Sequence, residues 1–135
     1  MQDSIFTKII KGELPCHKVY EDARTFVFMS INPIQPGQVV AVPKKQVATV
    51  WELEDADYQA LMATGKKVAA KIREVFPEKS GVALHIEGLE VPHAHLKLFP
   101  FTTDEEFHHH PDMEAEPDHP ALAAIATKLR LPDEV

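Results

Sequence analysis

Apolar and polar residues alternate strictly from His93 to Leu98 within the stretch VPHAHLKLFP, residues 91–100. Alternation at period two marks a half-buried strand. Such a strand carries His93, His95 and Lys97 on one face and Ala94, Leu96 and Leu98 on the other. Pro92 and Pro100 bracket it, and because proline has no N–H the ladder is expected to stop at both. Residues 82–87, VALHIE, alternate again: Val82, Leu84 and Ile86 share one face, Ala83, His85 and Glu87 the other. Only a short connection separates the two runs, so an antiparallel pair is expected over 82–87 and 93–99. With the apolar faces matched, His85 and Glu87 project into the same cleft as His95, and a Glu87–Lys97 or His85–His93 contact is expected.

Elsewhere the period changes. Tyr58, Leu61, Met62, Gly65, Val68, Ala69, Ile72, Val75 and Phe76 recur at steps of three and four, which predicts one long helix ended by Pro77. Asp55 and Asp57 at its start, and Lys71 and Arg73 near its end, suit its dipole. A short first helix is expected on Ile5, Phe6, Ile9 and Ile10, capped by Asp3 or Ser4 and ended near Gly12. Residues 17–21 and 25–29 read as a hairpin, and Val39 to Val42 as a buried strand stopped by Pro43. The segment INPIQPGQ between them is turn chemistry. Trp51 and Tyr58 are expected to pack near the long helix. Beyond Phe101 the chain turns acidic and proline-rich, with little capacity to form a core, until a last helix over 121–131 with Leu122, Ile125 and Leu129 as its stripe.

The 135 residues suit a single core. Lys plus Arg number 14 and Asp plus Glu 21, for a formal net charge of −7. That balance argues against nucleic acid and anionic membranes as partners, and no run is long and apolar enough to span a bilayer. The single Cys16 cannot form an internal disulfide, and the N-terminus does not read as a signal peptide, so a cytoplasmic setting is expected. Cys16 itself reads as a packed thiol.

The acidic balance makes the 91–100 strand the notable local site for an anion. A neutral imidazole is a competent nucleophile near neutral pH. A neighbouring ammonium favours the neutral imidazole and stabilises charge on a phosphoryl group under attack. His93, His95 and Lys97 are thus candidates for holding and attacking a phosphate. His108, His110, Asp112 and His119, with His109, are weaker candidates for a divalent metal. Three consecutive histidines cannot all face one ion in regular structure, so a solvated loop is the expected reading.

Three stretches together, SIFTKIIKGELPCHKVYED, INPIQPGQVVAVPKK and VPHAHLKLFP, resemble the histidine triad (HIT) family of nucleotide hydrolases and transferases. Order and spacing match across about residues 4–101, and the first two stretches are most similar to the small-phosphoramidase branch. The resemblance implies a HIT-like α+β fold: a five-stranded antiparallel sheet with one long and one short helix. To this the sequence adds the C-terminal helix. The HIT-like domain would span 1–104, with 105–135 forming an acidic, His-rich segment and a helix packed on or near it.

The resemblance also implies a homodimer built on the long helix and the active-site strand. It implies a purine nucleotide or nucleotide conjugate as ligand, and no cofactor. His95 would attack the α-phosphorus to form a nucleotidyl-histidine, oriented by the carbonyl of His93, with Lys97 at the third triad position serving phosphate and leaving group. Ile5, Phe6, Ile9, Phe28, Met29 and Ile31 would line the purine pocket, with Ser30, Gln38, His85 and Glu87 completing the substrate site. Ile9 and Met29 read equally well as core.

The chain departs from the family pattern at several points. Lysine ordinarily titrates near 10.4 and is poorly matched to protonating a departing amine. Gln38 stands where that branch usually has another histidine, and Ser30 where a carboxylate usually holds the ribose. The approach to the triad is shortened to Gly88-Leu89-Glu90-Val91-Pro92, where an inward Glu90 would repel phosphate. The usual strand asparagine has Ile86 or Glu87 as its nearest counterpart. Two alternatives to hydrolysis therefore stand: a nucleotide-binding protein with weak turnover, and a nucleotidyl transferase.

Overall fold

The computed structural model describes residues 2–87 and 91–135. Five antiparallel strands form one sheet in the order β1-β2-β3-β5-β4. The strands are β1 (Lys18–Glu21), β2 (Thr25–Met29), β3 (Val39–Pro43), β4 (Gly81–Glu87) and β5 (His95–Phe101). The helices are α1 (Ile5–Ile10), α2 (Asp55–Val75), α3 (Asp104–Phe107) and α4 (His119–Leu129). This is the expected α+β architecture, with α3 as an unforeseen addition.

Period two sorts the sheet's two faces. Val27, Met29, Val39, Ala41, Leu96 and Leu98 point into the main core, where they meet Leu61, Val68 and Ile72 of α2 and Leu122, Ala126 and Leu129 of α4. On the opposite face Phe26, Phe28, Val40 and Val42 form a second, smaller cluster under Phe6, Ile9 and Ile10 of α1. Ser4 caps α1, its Oγ accepting the Thr7 N–H at 3.0 Å. The site lies on this second face.

Several expectations are corrected in detail. The strand begins at His95, not His93, and runs through Pro100 to Phe101. Pairing with β3 covers only Leu96 to Leu98, so Pro100 lies where β5 has a partner on one side alone, and such an edge tolerates proline. The last helix spans His119 to Leu129, started by the Asp118 side chain accepting from the Ala121 N–H at 3.2 Å. Trp51 does not pack near α2 but stands 72% exposed, whereas Tyr58 does pack at the core margin. After α4 the chain returns along the outer edge of β1: the Leu131 and Glu134 N–H groups donate to the Val19 and Glu21 carbonyls at 3.0 and 2.9 Å. Among the described residues no helix is long and apolar enough to cross a membrane.

Candidate functional site

The strand pairings lay a row of side chains across the sheet. His85 faces Lys97, Lys97 faces Val40, and Val40 faces Phe28. One step along, Glu87 faces His95. Partners in an antiparallel pair point to the same side, so these residues share one floor. Above it, α1 forms one wall and the segment after α3 the other, enclosing a cavity of about 840 Å³.

His95 and Lys97 line this cavity, as do Ile5, Phe6, Ile9, Phe28, Met29, Ser30, Ile31, Gln38, His85 and Glu87. Met29 belongs at the same time to the main core at 1% exposure. Ile86, one of the two counterparts weighed for the strand asparagine, packs on the core side, and Glu87 is the one that reaches the cavity. Residues 88–90, including Glu90, lie outside the described residues.

His93 does not share the face of His95 and Lys97. It sits ahead of β5, in a bend, fully buried. Its Nε2–H donates to the Pro43 carbonyl at 2.8 Å, at the point where the β3–β5 ladder has run out. With Nε2 protonated, Nδ1 accepts from the Ser4 hydroxyl at 2.7 Å. Ser4 and Thr7 are fixed in turn by Gln46, whose Oε1 accepts from the Ser4 N–H at 2.8 Å and the Thr7 hydroxyl at 2.6 Å. His93 instead serves the site through its backbone. The His95 Nδ1–H donates to the His93 carbonyl at 2.8 Å, which places the lone pair of the neutral ring on Nε2. Phe6 lies edge-on to both imidazoles, at 5.7 Å from His93 and 5.1 Å from His95.

Burial holds the His93 imidazole below its ordinary value of 6.5, with nearby His95 acting in the same direction and the Pro43 hydrogen bond opposing. Below about 6.5 the unfolded chain then binds a proton that the folded chain resists. Stability is therefore full above that pH and declines as the pH falls. Urea unfolding between pH 7.5 and 5 should show a decline from this residue of at most ~1.4 kcal/mol per pH unit. His93→Gln should lower stability at all pH values but flatten this slope; equal slopes would contradict the account.

Of the two expected contacts, one is present. The Lys97 ammonium donates to Glu87 Oε2 at 3.5 Å. No His85–His93 contact forms, since His93 lies outside the strand and turns toward Ser4 and Pro43. His85 Nδ1 instead stands 3.7 Å from Glu87 Oε1. Gln38 is 2% exposed, and its Oε1 accepts from the Ile34 N–H at 2.7 Å. Burial raises the Cys16 thiol above its ordinary value, as befits a packed cysteine.

The acidic segment is the larger surprise. Phe107 to Pro111 and Met113 line the cavity. Thr103 and Glu106 form a capping box around α3, and Phe107 packs on His85, Phe99 and Phe101. The segment is tied to the loop before β3 by Asn32, whose amide donates to the Asp112 and Ala115 carbonyls, and by Gln35, which donates to Glu106. The T-x-x-E spelling of the capping box, followed by an aromatic, is the signal that could have located it. Asn32, Ile34, Leu14, Pro15, Val40 and Val91 also line the cavity and were not singled out from sequence.

The candidate metal ligands do not gather. His119 Nδ1 lies 2.9 Å from His17 Nε2, while His108 and His110 line the cavity. Among the described residues no group of three or more His, Cys, Asp or Glu is placed to hold a metal ion.

Comparison with known proteins agrees with this geometry. Residues 11–103 match the HIT domain. The chain is 32% identical over 104 residues to the adenosine 5'-monophosphoramidase of Schizosaccharomyces pombe, covering 75% of this chain and 76% of that one. It is 30% identical over 106 residues to an uncharacterized HIT-like protein of Borreliella burgdorferi, covering 74% and 76%. In fold it superposes on a Hit-like protein from Bartonella henselae with a TM-score of 0.83 at 23% identity, over 95% of this chain and 94% of that one. An imidazole aimed into a cavity by a neighbouring backbone carbonyl, on this sheet and in this order of strands, is thus carried by a chain that belongs to the HIT family.

Proposed function

We propose that the protein hydrolyses purine nucleotide conjugates, phosphoramidates or related phosphoanhydrides, through a covalent nucleotidyl group on His95. The observation that carries this reading is the 2.8 Å hydrogen bond from His95 Nδ1 to the His93 carbonyl, in a ring that lines a cavity large enough for a nucleotide. Nε2 attacks the α-phosphorus, a P–N bond forms, and the bond to the leaving group breaks. Water then cleaves the P–N bond, releasing the nucleoside monophosphate and restoring His95. Lys97 offsets charge on the phosphoryl oxygens. Ile5, Phe6, Ile9, Phe28 and Ile31 offer the base an apolar slot, with the Met29 side chain turned behind it into the main core, and Ser30 and Gln38 offer polar groups to the sugar. The relative named as an adenosine monophosphoramidase supports the choice of substrate class.

The same reading takes the protein as a homodimer through α2 and the active-site strand. In support, β4 is the outermost strand beside β5, and its Leu84 stands 41% exposed. A single thiol supports a reducing, cytoplasmic setting. A second reading, a binder with weak turnover, is favoured by the Lys97–Glu87 ion pair, which offsets the charge meant for phosphate.

One experiment separates the two. The protein is mixed with an adenosine phosphoramidate, quenched in the first turnover, and digested for mass spectrometry. An adenylyl adduct on the fragment carrying His95 is the expected result. Binding of AMP by calorimetry without any adduct or product would select the second reading.

A further inference from the structure

We propose that His85, on the strand beside the nucleophile, gives the leaving group its proton, a task that Lys97 at the third triad position is chemically unsuited to perform. The inference rests on the hydrolase reading of His95. An amine departs from phosphorus only if it is protonated as the bond breaks, and a lysine ammonium holds its proton too tightly near neutral pH to be an effective donor. Histidine is the residue type suited to that transfer.

The register places His85 directly opposite Lys97, with both lining the cavity. Side chains so paired stand about 5 Å apart at Cβ. A phosphoryl group at His95 that rests on Lys97 therefore turns its departing atom toward this pair. Glu87 connects them: one carboxylate oxygen is 3.5 Å from Lys97 Nζ and the other 3.7 Å from His85 Nδ1. The ring is held edge-on by Phe99 and Phe107, each at 5.1 Å. With Nδ1 turned toward the carboxylate, Nε2–H of the protonated ring lies on the far side and is the donor. Among the described residues, the charged and titratable groups around His85 are Glu87 on its own strand, Lys97 on β5, and His108, which lies edge-on to Phe107 beside α3.

The step balances. His95 Nε2 supplies the electron pair of the new P–N bond. The pair of the breaking bond goes to the leaving nitrogen, which takes the proton from His85 Nε2 and departs as a neutral amine. In the second step neutral His85 accepts a proton from the attacking water, so the donor is regenerated.

The test pairs two substrates: an adenosine phosphoramidate of an alkylamine, and the p-nitrophenyl ester of AMP, whose leaving group departs without a proton. His85→Asn is expected to slow formation of the nucleotidyl-histidine from the first by ~10²–10⁴-fold and to leave its formation from the second, read as the burst of p-nitrophenolate in the first turnover, close to wild type. The alkaline limb of kcat/KM for the amine substrate, where a general acid loses its proton, should vanish in the same variant. Equal losses on both substrates would show a packing role, and no loss on the amine would show another donor; either overturns the proposal. Loss of both activities in His95→Ala establishes the hydrolase reading separately. Turnover of neither substrate by the wild type would remove that reading and this one with it.

Discussion

Replacing His95 by alanine is expected to reduce hydrolysis of an adenosine phosphoramidate by roughly 10⁴–10⁶-fold, the scale seen when an enzyme loses its nucleophile. The fold should survive. His95 is 4% exposed, but it borders a large cavity rather than the core, so water can enter where the ring was. The structural loss includes a hydrogen bond to a backbone carbonyl, worth about 1 kcal/mol, and an edge contact with Phe6. The urea midpoint and the activity should thus part company. Retention of activity within tenfold would remove the covalent route.

The neighbouring His93 gives the instructive contrast. It holds the His95 ring through its main-chain oxygen, which every substitution preserves. His93→Ala should therefore act through stability and through the position of that carbonyl. Its side chain holds Pro43 at one end and Ser4 at the other, residues 50 and 89 positions away in the chain.

Those separations explain what the sequence could and could not reveal. Alternation located β4 and β5, the faces of His85, Glu87, His95 and Lys97, and the Glu87–Lys97 contact. The same alternation continued through His93, although the chain bends there, because a period-two string does not record where pairing ends. What ended it was the geometry of β3 and the approach of Ser4, neither of which is local. The resemblance to known proteins supplied the carbonyl-to-imidazole bond, which no composition argument would have found. The wall formed by residues 107–113 stayed hidden for a different reason. An acidic average concealed one aromatic, Phe107, whose contacts with His85, Phe99 and Phe101 decide where the whole segment lies. Trp51 shows the reverse error, an aromatic assumed to pack that stands in solvent.

Gly37→Ala is expected to be the most damaging single change to the frame of the site, at about 2–5 kcal/mol. Two terms add. Gly37 has φ of 95°, a left-handed backbone that an alanine adopts only under strain. A Cβ there would also stand 2.8 and 2.9 Å from the ring of Phe76 and 3.2 Å from Cδ of Pro100. Phe76 ends the long helix and packs on the main core, so its ring cannot swing away without opening a void. The displaced strand start carries Gln38, whose carbonyl accepts from Ser30 and whose side chain accepts from Ile34. A lower urea midpoint should therefore come with a raised KM for the phosphoramidate, since Ser30, Ile34 and Gln38 all line the cavity. The chemical step on His95, set on β5 by the His93 carbonyl, should keep most of its rate at saturating substrate. A variant with the wild-type midpoint would mean that the turn relaxes at no cost, and that the geometry around Gly37 is looser than its contacts require.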